Sequence, residues 1–178
     1  MALRSDKEMT GVIMCGIGQQ AETDGGMLPG SRRERLQRIR AAVCGLFPEL
    51  ILVTDSPLDY ADQDIESVTE VIPGKGAMGG IYSGLFYASH DAVFVFSCDL
   101  AASIDLALVS HMIRRFEKYD AVVPRTSKGF QPLHAIYSQR CSNKLEKQIR
   151  ENRLSLEEFF KTIKVLEIAA DTAVTSDK

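Results

Sequence analysis

The run Ala92-Val93-Phe94-Val95-Phe96-Ser97-Cys98 decides the fold of this chain of 178 residues. It is apolar at positions that face both sides of a pleated strand, which is typical of a central parallel strand covered by helices on both faces. Two other apolar runs, Thr10–Cys15 and Leu50–Thr54, precede it as further strand candidates. Strand and helix patterns alternate from end to end, which predicts a doubly wound α/β fold: a mostly parallel sheet with helices on both faces.

Capping residues indicate where the helices begin. Ser31 and Glu34 form a capping box, S-x-x-E, and Ser155 and Glu158 form another. We expect Ser103 to cap a third helix. The other predicted elements are the strands Ser67–Ile72, Asp120–Pro124, Leu133–Tyr137 and Ile163–Ile168, and a helix that follows a loop over Pro73–Gly80. No linker composition is found, so we expect one domain over residues 1–178, with its core at about 10–168 and loose tails at 1–8 and 170–178.

The charges nearly balance, with 21 basic and 24 acidic side chains and a formal net charge of −3. A chain with 45% hydrophobic residues is not intrinsically disordered, and without a basic surplus broad nucleic-acid binding is not expected. No apolar run approaches the ~18 residues that cross a bilayer, and the first residues lack the apolar core of a signal peptide. Without export signals we expect a cytoplasmic protein whose cysteines are all reduced: Cys15, Cys44, Cys98 and Cys141.

A glycine-containing segment follows the first strand, at the place where doubly wound sheets bind ligands. Gly16-Ile17-Gly18-Gln19-Gln20-Ala21 matches G-x-G-x-x-G/A, the dinucleotide-binding pattern. A helix should begin within that pattern, yet Gly25 and Gly26 follow and the first capping box lies only at Ser31. We therefore interpret the segment as a glycine-rich loop of another nucleotide-binding fold, with a dinucleotide site and a plain turn as the alternatives.

A second glycine-rich loop contains Lys75 and Gly76. Its spacing excludes the Walker phosphate loop, but its glycines let the backbone approach a ligand closely. The Lys75 ammonium offers a cation to a phosphate group. A flexible turn with a solvated lysine is the alternative.

Three carboxylates lie at or directly after predicted strand ends. Asp99 follows the most apolar strand, where an unpaired carboxylate is costly to desolvate. One or two carboxylates together with substrate phosphates are a common Mg²⁺ site, so Asp99 is the candidate metal ligand, and a turn-forming aspartate is the alternative. Asp55 and Glu70 are set apart from the other acidic residues of their segment because each directly follows or ends a strand.

The order of these motifs resembles the molybdenum cofactor guanylyltransferase family (molybdopterin-guanine dinucleotide biosynthesis protein A), which is part of the nucleotidyltransferase superfamily with a Rossmann-like fold. The resemblance runs from about Thr10 to Ile168. The segments that carry it are Pro73–Ile81 (PGKGAMGGI), Cys98-Asp99, Val122–Arg125 (VVPR), Gln131–Tyr137 (QPLHAIY) and Leu154–Phe160 (LSLEEFF).

The resemblance implies transfer of GMP from GTP to the phosphate of molybdopterin, with Mg²⁺ as cofactor and release of pyrophosphate. The family's catalytic, Mg²⁺-binding aspartate falls on Asp99. Its guanosine and ribose contacts fall on Met14, Cys15 and Gly16, and on two positions at which this chain has Asp55 for the usual Asn and Glu70 for the usual Asp.

This chain departs from the family pattern in its first loop, which normally reads LAGGxSxRMGxDK. Ala21 lies near the arginine position and Gly26 near the lysine position, and Asp99 is followed by Leu-Ala-Ala where the family has [ML]-P-F. Two hypotheses follow: a working guanylyltransferase, or a catalytically impaired relative that serves as a binding or maturation partner of molybdenum or tungsten enzymes or of other cofactor-biosynthesis proteins.

The near-neutral net charge conceals two segments of opposite sign that bear on these hypotheses. Residues 31–40 carry five arginines and one glutamate, whereas residues 55–70 carry six acidic side chains and no basic one. The basic segment directly follows the loop that lacks the family's cations. Arg32 and Arg33 are therefore the candidates to bind a triphosphate in their place.

Overall fold

The computed structural model describes residues 8–17, 30–98 and 104–170. Within these ranges, eight strands form one sheet and five α-helices pack against it. The strands are β1 (Thr10–Cys15), β2 (Glu49–Thr54), β3 (Glu66–Val68), β4 (Ala92–Ser97), β5 (Ala121–Thr126), β6 (Gly129–Phe130), β7 (His134–Ser138) and β8 (Val165–Ala169). The helices are α1 (Arg32–Val43), α2 (Gly76–Tyr87), α3 (Leu106–Arg115), α4 (Ser142–Arg150) and α5 (Leu156–Phe160).

The sheet has the strand order β3-β2-β1-β4-β7-β5-β6, and β8 pairs with β5. β1, β2, β3 and β4 are parallel to one another, and β5 and β8 are parallel. β7 is antiparallel to both of its neighbours, β4 and β5, and β6 is antiparallel to β5. Six of the eight described strands therefore share one direction, and the predicted mostly parallel α/β sheet is confirmed. β4 is central as expected, but of its two neighbours only β1 is parallel to it, and β7 is antiparallel.

Helices cover both faces of this sheet. On one face, α1 and α3 pack against β1 and β4 through a core that includes Leu36, Ile39, Val109 and Met112. On the other face, α2, α4 and α5 contribute buried residues such as Ile81, Leu145 and Phe159. The alternating inward positions of β4 supply both cores, Phe94 and Phe96 to one and Val93 and Val95 to the other. No helix in the described ranges is long and apolar enough to cross a membrane.

Two helix starts follow the predicted capping residues and one does not. Ser31 and Glu34 form the reciprocal capping box at the start of α1, and Ser155 accepts a hydrogen bond from the Glu158 N–H at the start of α5. The cap of α3 is Asp105, whose Oδ1 accepts from the N–H groups two and three residues on, at 2.9 and 3.1 Å. The prediction of Ser103 as this cap is wrong, since the helix begins later than expected, and Ser103 itself lies outside the described residues.

α2 begins inside the segment that was expected to be a loop. The third strand ends at Val68 instead of continuing to Ile72, because the chain turns toward α2, where the Val71 N–H donates to Ser83 Oγ at 2.9 Å. The helix then starts at Gly76. Gly84 allows close helix–sheet packing, since a Cβ built on it would lie 2.8 Å from Cγ1 of Val12 in β1.

A disulfide joins Cys15, the last residue of β1, to Cys98, which directly follows β4. The parallel register of the two strands pairs Met14 with Ser97, so the next residues lie side by side with a Cα–Cα distance of 5.2 Å. The expectation that all four cysteines are reduced is therefore wrong for this pair. The two cysteines are 83 residues apart in sequence, so the sequence did not show that they lie on neighbouring strands. Cys44 and Cys141 are free thiols.

Candidate active site

The carboxyl ends of β1, β2 and β4 meet at one edge of the sheet. Cys15 pairs with Thr54 in register, and the Cys98 N–H donates to the Met14 carbonyl at 2.9 Å. Gly16, Asp55 and Cys98 therefore leave the sheet side by side. This edge is where open α/β sheets bind ligands.

Two charged side chains lie beside Gly16, which directly follows β1. Its φ of +71° is in the left-handed region, which glycine adopts without a steric penalty. A Cβ built on Gly16 would lie 3.1 Å from Asp55 Oδ1 and 3.3 Å from Arg32 Nη1. The sequence-predicted Gly16 and Asp55 are thus neighbours, with Arg32 beside them.

Glu70 presents a buried carboxylate oxygen without a protein partner. Its Oε2 accepts from the Gly74 N–H at 3.1 Å, whereas Oε1 is buried and has no hydrogen-bond partner among the described residues. Burial raises the pKa of Glu70 above its usual value; the Gly74 N–H opposes that rise and the nearby charge of Asp55 adds to it. A carboxylate in this state can accept a hydrogen bond from an N–H or O–H group of a ligand.

The amino terminus of α2 forms a second side of the site, directly after Glu70. Gly74 and Gly76 have left-handed φ values of +72° and +57°, and Lys75 between them occupies the N-cap position without a side-chain cap. The first turn of the helix carries no acidic residue, so the helix dipole and the Lys75 ammonium both favour an anion at this end. The ammonium donates a hydrogen bond to Asn152 Oδ1 at 3.1 Å.

Met14 and Cys15 have buried side chains. Met14 is 4% exposed and Cys15 is fully buried in its disulfide. A contact of either residue with a nucleotide would therefore involve main-chain atoms.

The basic segment at 31–40 contacts the acidic segment at 55–70 through Arg33 and Arg40. Arg33 forms an ion pair with Asp62, and Arg40 Nη2 donates to the Asp64 carbonyl at 2.6 Å. Of the two arginines considered as anion ligands, Arg33 is thus bound to the acidic segment, whereas Arg32 lies beside Gly16.

Asp99 and the loop positions Ala21 and Gly26 lie outside the described residues. Within the described ranges, no group of three or more His, Cys, Asp or Glu side chains is arranged to hold a metal ion. Mg²⁺ is commonly bound by one or two carboxylates together with substrate phosphates and water, so a preformed cluster is not required. The last described residue before Asp99, Cys98, lies at the same edge of the sheet as Gly16, and a carboxylate is the kind of ligand that Mg²⁺ prefers.

Two residues near this edge were not among the site residues predicted from the sequence. Asn152 lies 77 positions after Lys75, and no motif connects the two. His134 pairs with Phe96 across β4 and β7, and burial lowers its pKa to about 4, an effect that Asp105 partly opposes. This histidine is therefore neutral at pH 7, packed edge-on against Phe94 and Phe96.

Comparison with known proteins identifies the family. Residues 11–165 match the model of the MobA-like NTP transferase domain, which covers most of the chain. The chain belongs to this family. The resemblance inferred from the motifs is thereby confirmed, and this MobA-like domain is a nucleotidyltransferase by family.

Individual relatives span the same region of the MobA-like domain. A molybdenum cofactor guanylyltransferase of Desulfosudis oleivorans is 29% identical over 167 residues, which cover 90% of this chain and 81% of that protein. A probable molybdenum cofactor guanylyltransferase of Methanothermobacter thermautotrophicus is 31% identical over 175 residues, covering 93% and 89%. Molybdopterin-guanine dinucleotide biosynthesis protein A from Archaeoglobus fulgidus has the same fold, with a TM-score of 0.72, 16% identity and coverage of 92% and 84%.

Proposed function

We propose that this protein is a Mg²⁺-dependent guanylyltransferase that transfers GMP from GTP to the molybdopterin cofactor and releases pyrophosphate. The family match over residues 11–165 carries the proposal, and the names of the relatives from Desulfosudis and Methanothermobacter supply the substrates. The convergence of Gly16, Asp55, Glu70 and the α2 amino terminus on one edge of the sheet supports it.

In the proposed reaction, a phosphate oxygen of molybdopterin attacks the α-phosphorus of GTP. The bond between this phosphorus and the oxygen that bridges to the β-phosphorus breaks, and pyrophosphate leaves with that oxygen. Such transfers need in-line positioning and neutralisation of charge more than covalent help from the protein. Mg²⁺ held by Asp99 and the triphosphate would supply part of that neutralisation.

The described residues have two further roles in this proposal. The α2 amino terminus and Lys75 bind phosphate oxygens, because both present positive charge at the same place. Asp55 and Glu70 accept hydrogen bonds from the guanosine. The partnerless Oε1 of Glu70 supports this role, since an N–H or O–H donor of the nucleoside would satisfy it.

Calorimetric titration with GTP, ATP and CTP in the presence of Mg²⁺ tests the proposal. We expect micromolar affinity for GTP, weaker binding of the other two nucleotides, and a large loss in Asp99→Ala. Formation of the dinucleotide from GTP and molybdopterin would then be measured directly. The absence of binding of any nucleotide at millimolar concentration would refute the enzymatic proposal.

A second candidate function is that of a catalytically impaired relative that acts as a binding or maturation partner of molybdenum or tungsten enzymes. It is favoured by Ala21 and Gly26, which replace the arginine and lysine of the family loop. Each lost charge-assisted contact is worth roughly 1.5–3 kcal/mol. If Ala21→Arg combined with Gly26→Lys creates activity that the natural chain lacks, the second candidate is supported and the first is rejected.

We also propose that the protein acts in the cytoplasm, where GTP is available to it. Cell fractionation followed by immunodetection tests this location. Recovery of the protein outside the cytoplasmic fraction would contradict it.

A further inference from the structure

The Lys75 ammonium is held by a residue from a distant part of the chain. Its Nζ donates to Asn152 Oδ1 at 3.1 Å. Asn152 follows the carboxyl end of α4, and Lys75 is the N-cap of α2. The hydrogen bond therefore connects the end of one helix to the start of another, on the side of the site that is suited to anions.

The backbone at Asn152 has a conformation that glycine usually adopts. Its φ of +55° makes it the one non-glycine residue of the described ranges in the left-handed region. This conformation ends α4, with the Asn152 N–H donating to the Ile149 carbonyl at 3.0 Å and the Arg153 N–H to the Gln148 carbonyl at 2.9 Å. Glycine is the usual residue at such a helix end and fits it with less strain, although asparagine is tolerated. The helix end alone gives no reason to prefer asparagine to glycine.

The amide oxygen of Asn152 is well suited to hold a cation for a second ligand. An ammonium group has three N–H donors, and Asn152 accepts one of them, so two remain for phosphate oxygens. The amide is neutral, so it fixes the ammonium without cancelling its charge. A carboxylate in this place would bind Lys75 more tightly but would also repel an anionic ligand.

We propose that Asn152 is a positioning residue that fixes the Lys75 ammonium for binding the phosphates of the nucleotide. The proposal rests on the proposed function, since it takes Lys75 to be a ligand of the triphosphate. In this proposal the connection between α4 and α5, which contains Asn152, affects nucleotide binding through Lys75 and does not contact the nucleotide itself.

Asn152→Gly is the decisive variant, because glycine keeps the left-handed conformation and removes only the amide. We expect the affinity for GTP, measured by calorimetry, to fall about 3- to 10-fold, which is the worth of one hydrogen bond. The affinity for guanosine, which has no phosphate, should not change. The melting temperature should be equal to or higher than that of the natural chain, since glycine relieves the backbone strain.

Two further variants separate positioning from a structural role. Asn152→Asp keeps an oxygen acceptor for Lys75 but adds a negative charge, so its loss of GTP affinity should shrink as the salt concentration rises. In Lys75→Met, the affinity for GTP should be low, and adding Asn152→Gly should cause no further loss.

The possible failures are distinguishable. An unchanged GTP affinity in Asn152→Gly, alongside a reduced one in Lys75→Met, would overturn the positioning role and leave the proposed function standing. An unchanged affinity for GTP in Lys75→Met would also overturn the positioning role of Asn152. A natural chain that binds no GTP would reject both this inference and the proposed function.

Discussion

The burial of Glu70 has a cost to stability that depends on pH. One of its carboxylate oxygens is buried and has no hydrogen-bond partner in the part of the chain that the structure describes, and burial raises the pKa of Glu70. An acid whose pKa is higher in the folded state binds more protons there than in the unfolded chain. Its ionisation therefore lowers stability as the pH rises from about the ordinary value of 4.5 through the raised pKa.

Glu70→Gln should therefore stabilise the protein at pH 7 while it weakens nucleoside binding. The melting temperature should rise at pH 7 and change less below pH 4.5, whereas guanosine affinity should fall about 10-fold or more because a charged acceptor is lost. Thermal denaturation over a pH series and calorimetry measure the two effects. Glu66→Gln is the matched control, since Glu66 of β3 is exposed; an equal rise in that variant would contradict the explanation.

Arg32 and Arg33 are adjacent in sequence, but they have different surroundings. Arg33 forms an exposed ion pair with Asp62, and Arg32 lies at Gly16. Arg32→Ala should lower the affinity for GTP about 10-fold or more and lower that for guanosine much less, as expected for a phosphate ligand.

Arg33→Ala serves as the control for this prediction. We expect it to change GTP affinity little and stability by at most about 1 kcal/mol, the usual range of a surface ion pair. If Arg32→Ala weakens GTP and guanosine equally, Arg32 acts on the nucleoside pocket and not on the triphosphate.

The sequence predicted the places of several candidate site residues because these follow from strand ends. Gly16 and Asp55 could be located from the apolar runs before them, since parallel strands bring their carboxyl ends to one edge. The partner of Lys75 could not be found in this way, because the hydrogen bond from Lys75 to Asn152 depends on how α2 and α4 pack. The choice between Arg32 and Arg33 also required the structure, as it depends on which side of α1 each side chain leaves.

At the scale of elements, α2 is the helix whose packing is most demanding. It lies so close to β1 that a Cβ on Gly84 would approach three side-chain atoms of Val12 at 2.8 to 3.3 Å. Gly84→Ala should therefore destabilise the protein by about 1–3 kcal/mol, as overpacking does, even though alanine favours the helical conformation.

A double-mutant cycle with Val12→Ala checks this prediction. Removing the two Cγ atoms of Val12 makes room for the added methyl group, so Gly84→Ala should cost clearly less in that background. Denaturant titration measures the free energies of unfolding. Equal costs in both backgrounds would show that the close approach to Val12 is not the cause.

The same helix shows where sequence patterns mislead. The caps predicted at Ser31 and Ser155 were confirmed, with the full reciprocal box at Ser31, because a cap is a local hydrogen bond between residues three apart. The glycines from Gly76 onward indicate a loop by propensity, but two of them, Gly80 and Gly84, let the helix approach Met14 and Val12 of β1. No local sequence pattern indicates that β7 is antiparallel to its neighbours, because strand direction is set by where the chain re-enters the sheet.

At the scale of the whole molecule, the disulfide closes a long loop of the chain. Cys15 and Cys98 are 83 residues apart, and the chain-entropy model gives roughly 4–5 kcal/mol of stabilisation for a loop of this order. Thiol titration of the denatured protein without reductant should find two free thiols, Cys44 and Cys141, and four after reduction. The reduced protein should unfold at a clearly lower denaturant concentration.

The double variant Cys15→Ser, Cys98→Ser separates the effect of losing the disulfide from any other effect of the reductant on stability. This variant should be as unstable as the reduced protein, and reductant should not change it further. Four thiols in the untreated protein would contradict the disulfide. The cytoplasmic location proposed above would then be easier to reconcile with its cysteines, since disulfides are uncommon in reducing compartments.

The pairing of the arginines of α1 with the acidic segment has a consequence for the speed of substrate capture. The two segments lie against each other, through the Arg33–Asp62 ion pair and the hydrogen bond from Arg40 to the Asp64 carbonyl, so their fields partly cancel. Because the net charge is also only −3, little long-range field draws a polyanion toward the site. The association rate constant for GTP should therefore depend only weakly on ionic strength. Discrimination between nucleotides then resides mainly in how long each one stays bound, that is, in the dissociation rate.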